Sequence, residues 1–309
     1  MGRALVTFAA CAIFVGGIVA CGATKSPEAT PNGFTSPTSA PSVPATAAAT
    51  DSPRPSPAAA LPPHVFIVVM ENTGPGRALG SQAIARLAAA NTLATDYRAV
   101  ARPSLPNYLA LTSGSTWDIT DNDYHALPAE DLGTQLTTAG ISWRAYMEGM
   151  TAQAGCMNSP YPYALKHNPF GYYGGKCPPN IVPIEALAAD LAGVTPNFVW
   201  ITPDLCHSGH DCAVDVQGAW LEGIVSQIVS SDAWRADGVL FITWDEGDGG
   251  DERNFVPLIV ITKNANATRV DAEYDHYSLL ATIQDLFRLP RLGNARTARP
   301  LVLPLLGGR

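Results

Sequence analysis

Ser104 and Asn107 stand three residues apart in the run Arg102-Pro103-Ser104-Leu105-Pro106-Asn107-Tyr108-Leu109-Ala110-Leu111, a hydroxyl just after a proline and then an amide. The apolar stretch beyond them closes on Gly114 and reads as a buried helix. Proline is tolerated in a first helical turn, because the N–H groups there have no intrahelical partner. Ser104 therefore falls at a helix N-terminus, where unpaired N–H groups and the dipole favour an anion. A serine so placed suits attack on a phosphate. The same residue would also serve as a plain N-cap, so the rest of the chain has to decide.

Acids and histidines follow three apolar runs. Glu71-Asn72 come after Met70, then Asp204, His207, His210 and Asp211 after Trp200-Ile201, then Asp245-Glu246-Gly247-Asp248 after Trp244. Carboxylates gathered with histidines are a natural site for a divalent metal. His276 follows Asp275, an N-cap type, which puts it in the first turn of the last helix. His167 lies in a long Gly/Pro/Tyr-rich insertion, the kind of loop that carries substrate contacts. His64 and His125 read as structural or surface residues.

The elements that must hold these groups have an alternating pattern. Residues 64–70 form a continuous apolar, β-branched run, as a strand buried on both faces of a parallel sheet does. Similar runs cover 197–201, 239–244 and 258–261, with a weaker one at 141–146. Helical spacing marks 76–90, then Trp220, Leu221, Ile224, Val225, Ile228 and Val229, then Leu279, Leu280, Ile283, Leu286 and Phe287. Strands alternating with helices imply an α/β fold, a mostly parallel sheet with helices on both faces. Ligands of open α/β sheets bind at the carboxyl ends of the strands, where the three acid-bearing segments fall.

Upstream of this domain the chain opens with Met1-Gly2-Arg3 and an apolar run from Ala4 to Ala20, short for a membrane span and right for a secretory signal. Ile18-Val19-Ala20-Cys21 resembles a bacterial lipobox, which implies cleavage before Cys21 and lipidation of its sulfur. Residues 21–63 turn to Ala, Pro, Ser and Thr and read as a disordered tether, leaving 64–309 as the folded domain. The expected setting is an exported, membrane-anchored protein.

A net charge of −8 with no lysine or arginine block argues against nucleic acid as a partner. With Cys11 in the signal and Cys21 as the lipid site, Cys156, Cys177, Cys206 and Cys212 remain, and an even number in an exported domain suggests two disulfides. Sequence order favours Cys156–Cys177 and Cys206–Cys212, although four cysteines allow three pairings. A zinc site on Cys206, His207 and Cys212 is the competing reading.

Taken together, the chain resembles the bacterial phosphoesterase family of secreted acid phosphatases and phospholipases C, within the alkaline phosphatase superfamily. The likeness extends to mycobacterial-type secreted acid phosphatases acting on phosphoinositides. It rests on Val68-Val69-Met70-Glu71-Asn72, Pro103 to Leu111, Lys166-His167-Asn168-Pro169, Gly209-His210-Asp211, Thr243 to Asp248 and His276 to Leu280, in the family's order. The resemblance implies Ser104 as nucleophile, and Glu71, Asn72, Asp245 and Glu246 as ligands of a divalent metal that Ser104 shares. It further implies that His167, His210 and His276 line the phosphate or protonate the leaving group, and we expect Asn107 to steady the phosphoryl oxygens. Two departures stand out: Arg102 where relatives carry histidine, which would move phosphate recognition onto a guanidinium, and Ser208 where many carry an acid. The implied function is acid phosphatase activity on phosphate monoesters through a phosphoserine, with a phosphorylated small molecule or phosphoinositide as substrate. A phospholipase C-type phosphodiesterase and a catalytically inactive surface-binding lipoprotein are the alternatives.

Overall fold

Val65–Met70 forms strand β1, every residue of it buried, at the centre of the sheet. In the computed structural model, residues 61–263 and 267–302 are described, all within one unit, Ala58–Arg309. The signal, Cys21 and the tether up to residue 60 lie outside the described residues. The remaining strands are β2 (Thr92–Ala94), β3 (Tyr97–Arg98), β4 (Trp143–Met147), β5 (Ile181–Pro183), β6 (Phe198–Thr202), β7 (Val239–Trp244), β8 (Leu258–Thr262), β9 (Thr268–Val270) and β10 (Tyr274–Asp275). Eight of them pair in the order β5-β4-β6-β1-β7-β8-β2-β9, while β3 and β10 make a separate two-stranded ribbon. Every neighbour in the large sheet runs parallel except at β8, which is antiparallel to both β7 and β2. The sheet is therefore mixed but mostly parallel.

The reversal at β8 has a local cause. A parallel crossover needs a dozen or more residues and usually a helix, and the loop 245–257 that joins β7 to β8 carries none. The strands without a counterpart in the sequence pattern are short, three residues each in β2, β5 and β9 and two each in β3 and β10, too short for any periodicity to show. The run at 141–146 is a full member of the sheet, between β5 and β6.

The helices are α1 (Pro75–Ala78), α2 (Gln82–Ala90), α3 (Ser104–Ser113), α4 (Leu132–Thr138), α5 (Gly155–Asn158), α6 (Ala186–Ala192), α7 (Val214–Val229), α8 (Asp232–Asp237) and α9 (His276–Leu286). Seven of them pack in two groups, α2, α6, α7 and α8 in one and α3, α4 and α9 in the other. Such an arrangement leaves a strand like β1 no exposed face. The single helix expected over 76–90 is two. The Gly80 N–H donates to the Arg77 carbonyl and the Ser81 N–H to that of Ala78, tight bonds that close α1 before α2 begins. Among the described residues no helix is long and apolar enough to cross a membrane.

Two helices bear on the site. All ten residues of α3 are buried, and the helix ends on Gly114, whose φ of 73° lies in the left-handed region. A Cβ there would sit 2.5 Å from the Leu292 carbonyl oxygen, so both backbone conformation and close approach call for glycine. Helix α9 opens as expected, with Asp275 accepting the Ser278 N–H at 2.8 Å.

Candidate active site

Strands β6, β1 and β7 are neighbours, so the segments that leave their carboxyl ends meet. The Glu71 N–H bonds the Ser208 carbonyl (3.0 Å), and the Asp245 N–H bonds that of Met70 (3.0 Å). Backbone alone thus ties the three chemistry-bearing segments together before any side chain acts. Asn72 follows with a positive φ of 48°, a region asparagine tolerates, and its N–H reaches Asp245 Oδ1 at 3.1 Å. Its side-chain amide has no protein partner among the described residues.

Glu71 is the hub. Its carboxylate is fully buried, and Oε1 accepts the Ser104 hydroxyl at 2.9 Å and the Lys166 ammonium at 2.7 Å. His167 Nε2 lies 2.9 Å from the same oxygen, with its ring stacked on Tyr108, and His210 Nε2 stands at 4.0 Å. Burial alone would push the Glu71 carboxyl up. The adjacent His167 and Lys166 outweigh that and leave it well below the usual carboxylate range. The His167 imidazole is itself pushed down, chiefly by burial, and the Lys166 ammonium makes the shortest contact with Glu71, 2.7 Å.

Ser104 sits at the first position of α3, only 2% exposed, with Glu246 Oε1 3.3 Å from its hydroxyl. The N-terminal anion site is narrower than the sequence suggested. The Leu105 N–H is taken by Asn122 Oδ1 (3.0 Å), and Pro106 has none to offer.

Asp245 Oδ1 accepts two backbone N–H groups, from Asn72 and Glu246, while Oδ2 is buried with no hydrogen-bond partner among the described residues. Burial, followed by the nearby anions Glu71 and Glu246, raises its carboxyl well above the ordinary range. An unpaired, solvent-excluded carboxylate oxygen among two other carboxylates costs free energy unless a cation joins it. Ligand atoms of Glu71, His167 and Asp245 all lie within 4.8 Å of one another. The donor set of carboxylates, an amide, a hydroxyl and an imidazole therefore fits a divalent metal.

Three expectations change at this level. Asn107 spends its whole amide on the backbone before Ser104: Oδ1 accepts from the Val100 and Ala101 N–H groups, and Nδ2 donates to the Ala101 and Pro103 carbonyls. It shapes the turn that presents the serine and has nothing left for a phosphate. His276 is equally occupied. Its Nε2–H donates to the Asp245 carbonyl (2.7 Å), which leaves Nδ1 to accept from the Tyr97 hydroxyl (2.9 Å). Burial holds this imidazole neutral, down to about 4, and both neighbours suit that tautomer. Both ring nitrogens of His276 are thus spent inside the protein, on the Asp245 segment and on Tyr97. Arg102 is committed too, to Glu246 Oε2 and the carbonyls of Gly247, Asp248 and Asp251, stapling the acid loop rather than facing a substrate.

His210 lies on the solvent side of Glu71. It is 37% exposed, Nδ1 is paired to Asp211 Oδ1 at 2.6 Å, and Nε2 points toward Glu71 from the solvent side. Cys206–Cys212 and Cys156–Cys177 are disulfides, the first bracketing the His207–Asp211 loop, so no cysteine thiolate is left there for zinc. Neither Asp204 nor Asp211 replaces the acid missing at Ser208. Asp204 forms a separate cluster with Glu148 and His207: the Glu148 carboxylate meets the Asp204 N–H, Trp220 Nε1 and His207 Nδ1, and Asp204 Oδ1 accepts the Cys206 and His207 N–H groups. Lys166 went without a role in the sequence reading. The signal was its place beside His167 in Lys166-His167-Asn168-Pro169, a charge that α/β periodicity cannot interpret.

Residues 80–290 match the phosphoesterase family model, a segment that begins just after Glu71 and Asn72. The chain is 30% identical over 252 residues to a "Probable acid phosphatase" of Kluyveromyces lactis, covering 74% of this chain but only 59% of that protein's length. It is 31% identical over 255 residues to a "Phosphatidylinositol-3-phosphatase" of Mycobacterium tuberculosis, covering 79% of this chain and 84% of the other. In fold it is similar to an alkaline phosphatase superfamily protein of Vibrio parahaemolyticus, with a TM-score of 0.58 at 14% identity over 79% of this chain and 70% of that one.

Proposed function

The chain belongs to the phosphoesterase family, and from that premise we propose that it is a phosphoric ester hydrolase of the acid phosphatase kind, cleaving phosphate monoesters through a phosphoserine at Ser104. The observation that carries this is the buried Ser104 hydroxyl held by two carboxylates, Glu71 and Glu246, beside the unpaired oxygen of Asp245. Glu71, Asn72, Ser104, Asp245 and Glu246 would hold the metal, with His167 in reach. Bound by these residues, a divalent cation would lower the pKa of the serine hydroxyl and draw charge from the phosphoryl oxygens.

The chain's own residues do the rest. Glu71 and Glu246 fix the Ser104 hydroxyl, and Asn107 fixes the backbone that carries it. Ser104 passes its hydroxyl proton to Glu246, Oγ attacks phosphorus and the bond to the leaving oxygen breaks; Glu246 returns the proton to Oγ when the phosphoserine is cleaved. His210, held by Asp211, gives that oxygen a proton. The same imidazole then takes a proton from the water that cleaves the phosphoserine. The similarity to a phosphatidylinositol phosphatase supports a phosphoinositide or another phosphorylated small molecule as substrate.

Para-nitrophenyl phosphate and its bis ester separate the readings. We expect turnover of the monoester, loss of it after chelation, and return with an added divalent metal. Faster cleavage of the bis ester would instead make the protein a diesterase, and no cleavage of either would make it a binding lipoprotein.

We propose further that the protein is exported and held at the membrane by a lipid on Cys21, which the lipobox-like residues and the two disulfides support. Cys21→Ser should leave the protein in the soluble fraction or unprocessed. Recovery with membranes at the mature size would refute the anchor.

A further inference from the structure

Four groups converge on one atom, Glu71 Oε1: the Ser104 hydroxyl at 2.9 Å, the Lys166 ammonium at 2.7 Å, His167 Nε2 at 2.9 Å and, more distantly, His210 Nε2 at 4.0 Å. One carboxylate oxygen offers about two lone-pair sites, so it cannot serve all of these and a metal ion as well. Something must leave when a metal arrives.

The two basic side chains of the site, Arg102 and Lys166, differ in how they are held. Arg102 is pinned by four oxygens of the 246–251 loop. Lys166 has a single short contact, to Glu71, and one long one, 3.4 Å to Ser104 Oγ. Its side chain is 17% exposed, and a lysine stem has the rotamer freedom to move its head by a few ångströms. The 3.4 Å contact already puts the ammonium beside the atom that would carry the phosphoryl group.

Charge favours the same movement. Glu71, Asp245 and Glu246 face Lys166 and Arg102, and the site repels a phosphate dianion while its carboxylates are in excess. A divalent cation reverses the sign, and an ammonium released from Glu71 adds to the attraction.

Building on the phosphatase reading, we propose that Lys166 is the phosphate-binding cation of this site and that its ammonium competes with the divalent metal for Glu71 Oε1. Metal binding displaces it toward the phosphoryl oxygens at Ser104. The residue therefore acts with opposite signs on the two ligands, weakening metal binding and strengthening phosphate binding.

Calorimetry on the Lys166→Met variant tests both signs, since methionine keeps much of the stem and removes the charge. Mn2+ titrated into chelator-stripped protein should bind about tenfold more tightly than in the wild type, as expected when one close competing charge is lost. Inorganic phosphate titrated into the Mn2+-loaded variant should bind about tenfold or more weakly, with a matching rise in KM. Lys166→Arg should keep phosphate affinity within about threefold, and Lys166→Gln repeats the neutral test if the methionine variant is insoluble. Weakening of both ligands would make Lys166 merely structural, and no change in either would make it a spectator; each result overturns the proposal. Wild-type protein that binds neither Mn2+ nor phosphate would overturn the phosphatase reading itself and this inference with it.

Discussion

Ser104→Ala should lower turnover of a phosphate monoester by on the order of 10^4-fold or more, because it removes the atom that forms the covalent intermediate. The fold should hardly notice. Pro103 is the N-cap residue of α3 and no side chain caps the helix, so the hydroxyl has no capping role to lose. The oxygens it leaves, Glu71 Oε1 and Glu246 Oε1, belong to carboxylates still paired to Lys166 and Arg102. Glu246 Oε1 is the one acceptor that loses its partner, so the destabilisation should be about 1 kcal/mol. Metal affinity should fall by less than about tenfold, since three carboxylates remain. Steady-state kinetics and a thermal melt read these effects, and acid-quenched wild type should carry one phosphoryl group on the Ser104 peptide. An undiminished rate in the alanine variant would end the nucleophile assignment.

The second large effect concerns Asp245→Asn, for which metal affinity and stability should move in opposite directions. The amide oxygen can still accept the Asn72 and Glu246 N–H groups that Oδ1 accepts now, so the backbone stays satisfied. The unpaired Oδ2 becomes an NH2 group beside the Glu71 carboxylate, replacing repulsion with a possible hydrogen bond. Metal affinity should drop by at least about 100-fold and activity with it, as loss of an anionic ligand implies. The chelated protein should nevertheless melt higher, by about 2–4 °C for each kcal/mol of relieved repulsion. Wild type with metal should melt higher than wild type without it, by linkage. A chelated Asp245→Asn variant that melts well below chelated wild type would show that the carboxylate is structural, contrary to a ligand site kept under electrostatic strain.

Much of this was visible in the order of residues. β1 and β7 are runs whose every residue is buried, so their apolar continuity carried its own signature. Acids placed just past such runs could be assigned to one sheet edge, since a parallel sheet delivers all its carboxyl ends to the same side. Ser104 at a helix start and Asp275 as the cap of α9 followed from local chemistry alone, which needs only neighbours in the chain. The ordered motifs pointed to the phosphoesterase family for the same reason: each is a short local pattern.

What an individual polar side chain touches was a different matter. Asn107, His276 and Arg102 have residue types that suit a phosphate, yet each is consumed by backbone groups or carboxylates that the fold brings to it. His276 meets Asp245 and Tyr97 across 31 and 179 residues of sequence. Lys166, without a signal of its own, reaches Glu71 across 95 residues and becomes the charge on the central carboxylate. The unpaired oxygen of Asp245 is likewise a fact about three strands meeting. Periodicity and capping are one-dimensional and can be read from the chain. The partner of a hydrogen bond depends on which distant donor arrives first at a buried acceptor, and only the packed tertiary structure decides that.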